Sequence, residues 1–143
     1  MKGLTAPQQK TAAGQRRVAR IRAHILVVDD DAEFRTLVCR YLKDAGYSVT
    51  SAEDAVAAGH RMLEKLPNLV IADAKMPYMD GVEFVAALRA DATIPDLPVI
   101  FVTSSKNRPQ VAGRTFGFPL LTKPLSAGEL LATVSAALRP RDD

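Results

Sequence analysis

Short, unbroken runs of branched apolar residues recur along this chain, and stretches with helical spacing fill the gaps between them. The runs are His24-Ile25-Leu26-Val27-Val28, Leu69-Val70-Ile71-Ala72 and Val99-Ile100-Phe101-Val102. A run that is apolar throughout, rather than alternating, suits a strand buried on both faces, which is the habit of parallel sheets. After the first run, Phe34, Leu37, Val38, Tyr41, Leu42 and Ala45 recur at intervals of three and four. That spacing predicts a helix, and Gly46 is its stop signal. Tyr47-Ser48-Val49-Thr50 predicts a short second strand. Residues 53–65 predict a second helix with Val56, Gly59, Met62, Leu63 and Leu66 on one side, ended by Pro67. Asp80 three residues before Glu83 predicts a capping box and a helix to about residue 90. A weak helix over 108–116 and a short strand over 118–121 follow. Ser126 and Glu129 predict a second capping box, opening a helix that presents Leu130, Leu131, Val134, Ala137 and Leu138 and stops at Pro140.

Five strands alternating with five helices predict an α/β chain with a parallel sheet covered on both faces. Right-handed crossovers leave few topologies at this size. The expectation is a flavodoxin-like, doubly wound (βα)5 sandwich with a five-stranded sheet of order 2-1-3-4-5. Its ligand site then lies at the carboxyl ends of the strands.

Composition narrows the function classes. The chain has 143 residues and a single cysteine, so it holds one ordinary core and no internal disulfide. Cys39 is read as a reduced, buried thiol, which suits a cytoplasmic protein. No run approaches the ~18 apolar residues of a membrane span. The formal charge is +3, but it is unevenly placed. Residues 1–23 carry Lys2, Lys10, Arg16, Arg17, Arg20 and Arg22 and no acid, so the remainder is mildly acidic. The basic balance therefore belongs to an N-terminal segment read as a flexible tail (1–23), and it is no argument for nucleic-acid binding. Residues 24–139 are expected to form the folded domain, with a short C-terminal tail at 140–143.

The residues at the predicted strand ends carry the chemistry. Strand one runs into Asp29-Asp30-Asp31, strand three into Asp73, strand four ends at Thr103, and strand five runs into Lys123-Pro124. The topology brings these ends to one edge of the sheet. Clustered carboxylates raise one another's pKa unless a cation joins them. Oxygen-only ligands select a hard cation such as Mg²⁺. A carboxylate, a hard cation, a hydroxyl and an ammonium together make a phosphoryl site. Asp31, the outermost acid, is read as a helix cap, as is Asp80. His24, Cys39 and His60 are assigned no chemistry.

These motifs also resemble a known family. Ile25-Leu26-Val27-Val28-Asp29-Asp30 is similar to the opening strand of a response-regulator receiver domain, the phosphoacceptor module of two-component signalling. Leu69 through Gly81, with Asp73-Ala74-Lys75-Met76-Pro77 at its centre, is similar to that family's acceptor strand and loop. Pro98 through Thr103 and Leu121-Thr122-Lys123-Pro124 resemble its last two signatures. The resemblance spans residues 24–139. It implies that Asp73 accepts a phosphoryl group from the phosphohistidine of a histidine kinase or a histidine phosphotransfer protein. It also implies that Asp29, Asp30, Asp73 and the Lys75 backbone carbonyl surround Mg²⁺, with Asp29 acting through water. Thr103 and Lys123 would meet the phosphoryl oxygens, and Lys123-Pro124 would be a cis peptide. Output would pass to a downstream protein target by docking, with homodimerisation left open, and no direct DNA binding is expected. Such a chain is a signal receiver rather than an enzyme with turnover.

Some positions depart from the family pattern. The interval from Thr103 to Lys123 is short, and the intervening helix contains Pro109 and Gly113, both poor helix formers. Leu120 stands where the family commonly has an aromatic residue, and Ser104 where a small Ala often follows the Thr. These departures predict a non-standard output face. They also keep open a second reading, a pseudo-receiver that binds partners without being phosphorylated. A phosphatase using an Asp nucleophile is the third, weakened because Ala74 and Lys75 supply no second acid after Asp73.

Overall fold

A computed structural model describes residues 23–140 of the chain; the basic segment and most of the C-terminal tail singled out in the sequence lie outside the described residues. Five strands, β1 (His24–Val28), β2 (Ser48–Ala52), β3 (Leu69–Asp73), β4 (Val99–Ser104) and β5 (Leu120–Lys123), form one sheet. All four pairings are parallel and the order is 2-1-3-4-5. The expected flavodoxin-like fold is therefore present. The helices are α1 (Ala32–Asp44), α2 (Ala55–Glu64), α3 (Gly81–Ala90), α4 (Arg108–Val111) and α5 (Ala127–Ala137).

Alternate strand residues divide the core into two layers. Ile25, Val27, Leu69, Ile71, Ile100 and Val102 face α1 and α5, meeting Val38, Leu42, Leu130 and Val134. Leu26, Val28, Val70, Ala72, Val99 and Phe101 face the other way and meet Ala58, Met62, Val82, Phe84, Val85 and Val111. This two-sided burial explains why the central strands read as continuous apolar runs. Each fully buried aliphatic side chain contributes about 1.5–3 kcal/mol.

Short polar side chains set the helix starts. Asp31 accepts from the Glu33 and Phe34 amides, and Asp54 accepts from Ala57 N. Asp80 and Glu83 form the complete reciprocal box. Ser126 accepts from Glu129 N, but no reciprocal bond from the Glu129 side chain accompanies it. At the end of α1, Gly46 adopts φ +98°, a left-handed turn that releases the chain into β2.

Several boundaries differ from the sequence reading. Strand β2 is displaced from 47–50 to Ser48–Ala52, in register with all of β1 from His24↔Ser48 to Val28↔Ala52. The last strand is Leu120–Lys123, not 118–121, because pairing with β4 sets its register at Phe101↔Leu120. Helix α4 keeps only four residues of the expected nine. Pro109 sits in its first turn, where a missing N–H costs nothing, and Gly113 at φ +90° lies beyond its end. Helix α2 buries Ala58 and Met62, whereas Val56 and Leu63, expected on the same apolar side as Met62, face outward. Cys39 is half-buried rather than enclosed. Among the described residues, no helix is long and apolar enough to cross a membrane.

Candidate functional site

Parallel pairing brings four sequence-distant groups to the carboxyl edge of the sheet. Asp29 follows β1, and Asp73 ends β3 opposite Val102. Thr103 pairs with Thr122, and Lys123 closes β5 opposite Ser104. Asp29, Asp73 and Thr103 are buried, and Asp30 is exposed.

Lys123 joins the two buried acids. Its Nζ lies 2.8 Å from Asp29 Oδ2 and 3.3 Å from Asp73 Oδ2. Asp29 Oδ1 accepts from Asp31 N at 2.8 Å, and Asp73 Oδ1 accepts from Lys75 N at 3.1 Å. Burial, together with the neighbouring Asp29 charge, pushes the Asp73 carboxyl up to about 7, against the opposing pull of Lys123 and the Lys75 amide. Burial by itself would lower the Lys123 pKa, but its hydrogen bonds to and charge attraction toward Asp29 and Asp73 outweigh that and raise it. The ammonium also lies over the Phe34 ring, 4.4 Å from its centroid, a favourable place for a cation.

One carboxylate oxygen from each of Asp29, Asp30 and Asp73 falls within 4.8 Å of the others. Such an all-oxygen set fits a hard divalent cation. Thr103 Oγ1 is buried and has no hydrogen-bond partner among the described residues. A buried hydroxyl left unpaired costs about 1–3 kcal/mol, so its position beside the cluster marks a place where a ligand oxygen would be welcome. The structure thus brings Asp29, Asp30, Asp73, Thr103 and Lys123 together, with Lys75 contributing its backbone beside Asp73. Lys123-Pro124 is a cis peptide, as the resemblance implied.

Three contributors were not assigned to the site from the sequence. Phe34, read only as part of a core stripe, supports Lys123. Arg35 Nη1 donates to the Asp29 carbonyl at 2.6 Å and holds the loop after β1. Gly81, read as the start of a helix, leaves room for the Asp73 backbone. A Cβ there would overlap the Asp73 carbonyl oxygen and lie 2.8 Å from its carbonyl carbon. The Asp80-Gly81 pair was the available sequence signal.

The family model for the response regulator receiver domain matches residues 25–135. This chain belongs to the response-regulator receiver family. Among its relatives, the response regulator MprA of Mycobacterium avium is 40% identical over 124 residues, covering 83% of this chain and 54% of the relative. The phosphate regulon transcriptional regulatory protein PhoB of Klebsiella pneumoniae is 34% identical over 117 residues, covering 80% and 51%. The chemotaxis response regulator CheY4 of Vibrio cholerae has a TM-score of 0.72 at 32% identity, covering 82% of this chain and 99% of that structure. The receiver therefore spans about half the length of the curated relatives it matches. Receivers of this family are signalling modules of two-component systems, and the acidic cluster is the kind through which they bind Mg²⁺.

Proposed function

We propose that Asp73 is the phosphoacceptor of this receiver. The observation that carries the reading is the convergence of Asp29, Asp30, Asp73, Lys123 and the buried Thr103 hydroxyl at one sheet edge. In the reaction, an Asp73 carboxylate oxygen attacks the phosphorus of a phosphohistidine in a histidine kinase or histidine phosphotransfer protein. A P–O bond forms, the P–N bond breaks, and the donor imidazole leaves with the electron pair and takes up a proton. Asp29, Asp30, Asp73 and the Lys75 carbonyl would hold Mg²⁺, which offsets negative charge on the phosphoryl oxygens. Lys123 holds its ammonium against the acceptor and is positioned to exchange an Asp73 oxygen for a phosphoryl oxygen. Thr103 has a hydroxyl, unpaired among the described residues, to donate to another. A carboxylate whose pKa lies near 7 is partly protonated at neutral pH in the metal-free chain, so a bound cation also favours its nucleophilic form.

The signal is read by docking to a downstream protein. In this chain the face built by α4 and β5 carries a helix of only four residues. Arg108 donates to the Leu120 carbonyl at 3.3 Å and to the Thr122 hydroxyl, tying the short helix to the edge strand. This tie supports the reading of a non-standard output face. Its counterpart, a pseudo-receiver with no phosphorylation, rests on the same four-residue helix. The longer relative PhoB is named a transcriptional regulatory protein, so the expectation of no direct DNA binding is narrowed to the receiver body.

Intact-mass measurement after incubation with a small phosphodonor and Mg²⁺ tests the reading. One acid-stable, base-labile phosphoryl adduct, lost in Asp73→Asn, is the expected result. No adduct would overturn it in favour of the pseudo-receiver, and steady turnover of added phosphoesters would favour a phosphatase.

A further inference from the structure

Helix α2 turns an apolar stripe toward solvent. Val56 is 71% exposed and Leu63 is 87% exposed, and Leu66 beyond the helix end is also exposed. Together with Gly59 these residues follow a 3-4-3 spacing, the spacing of a seam between packed helices. The core is satisfied by the opposite side, where Ala58 and Met62 are buried. Gly59 is the informative member. A mid-helix glycine weakens a helix relative to alanine, yet a Cβ at Gly59 would meet no atom within 4 Å. Nothing inside the described residues requires its missing side chain. Outside, it lets another backbone approach closely.

Charge indicates which helix approaches. Glu53 precedes α2 and Lys65 follows it, each six residues from Gly59 and each exposed. A second copy of α2 running antiparallel, and crossing at Gly59, sets Glu53 of each copy beside Lys65 of the other. It sets Val56 beside the Met62–Leu63 turn, and it opposes the two helix dipoles favourably. A parallel pairing would place like charges together. We infer that the outward face of α2 is a self-association surface on which two copies of this chain pack antiparallel about Gly59. A ten-residue helix and its flanks offer less than the ~1,200 Å² of a standard stable interface. The dimer is therefore weak, with dissociation in the range of roughly 10⁻⁵ to 10⁻³ M.

Sedimentation of the 143-residue chain across a concentration series, without phosphodonor, tests this. A reversible dimer is expected, lost in Leu63→Asp. Glu53→Lys should weaken it about three-fold and adding Lys65→Glu should restore it. All three positions are exposed, so circular dichroism spectra should stay unchanged. In a Cys39→Ser background, Gly59→Cys should form an intermolecular disulfide on oxidation, whereas Thr36→Cys on α1 should not. A monomer at all concentrations overturns the inference. So does a dimer that survives Leu63→Asp, or cross-linking equal at both cysteines. None of these outcomes depends on whether Asp73 accepts phosphate.

Discussion

Gly81 and Asp73 touch through their backbones: Gly81 lies so near the Asp73 carbonyl that the space has no room for a Cβ. The amide of Gly81 also donates to the Ala74 carbonyl at 3.0 Å. The start of α3 is thereby held against the strand end that presents the acceptor. Gly81→Ala should destabilise the fold by about 1–3 kcal/mol, because backbone on both sides resists displacement. It should also slow adduct formation on Asp73. Urea unfolding and intact mass check the two effects, and a change within 0.5 kcal/mol would show that the contact relaxes freely.

Asp73→Asn should stabilise the metal-free chain at neutral pH, by about 1–3 kcal/mol. The folded pKa of Asp73 is near 7 and its ordinary value is 3.8. Between those values the unfolded chain has lost the proton that the folded chain keeps. Raising the pH through this window therefore favours unfolding, and the penalty is complete above it. The advantage of Asp73→Asn should grow from pH 4 to pH 7 in chelator-treated protein and then level off. A pH-independent difference would contradict the raised pKa.

Lys123→Ala should destabilise the chain by about 1–3 kcal/mol, since it leaves two neighbouring carboxylates without their cation. The loss should shrink when Asp73→Asn is already present. A double-mutant cycle in thermal unfolding measures the coupling, and strict additivity would mean that the ammonium is not engaged with Asp73.

Magnesium should stabilise the chain in a concentration-dependent way, by about 2.7 kcal/mol at a hundred-fold excess over the dissociation constant, which thermal unfolding reads as a rising melting temperature. Asp30 is exposed, so Asp30→Ala should remove most of this gain while leaving metal-free stability unchanged. An undiminished Mg²⁺ response in Asp30→Ala would remove that residue from the proposed ligand set.

At the amino end of β1, opposite the acidic cluster, His24 introduces a separate pH dependence. Its ring nitrogens meet Ser48 Oγ at 2.8 Å and Thr50 Oγ1 at 3.2 Å. Burial, assisted by the Lys65 charge, lowers its pKa below 6.5. The unfolded chain thus takes up this proton first as the pH falls. Stability should be fully present above pH 6.5 and decline below it until the folded imidazole also protonates. An NMR titration should place the His24 ring midpoint below 6.5.

Features settled by neighbours in sequence were legible in advance. Asp31 and Asp80 are caps because each needs only the amides two or three positions ahead. The buried strands were visible because burial on both faces leaves an unbroken apolar run. Site residues could be named because strand ends in this topology converge. Periodicity alone misplaced the surface of α2. Val56 and Leu63 share a helical face, but only the packing of Ala58 and Met62 on the sheet decides that this face points away from the core. Strand β5 was misplaced for a related reason, since its limits depend on what β4 offers it for pairing.

By itself the sequence determined the order of elements, the approximate lengths of all but α4 and the four carboxyl-end motifs, because these arise from local periodicity, capping and chain direction. The tertiary structure alone decided that Lys123 spans Asp29 and Asp73, that Phe34 lies beneath its ammonium, that Thr103 is buried beside them, and that Gly81 must have no side chain. Each is a contact between residues far apart in the chain or across a turn. Their distances, burial and charge coupling come into existence only when the sheet has closed and excluded water.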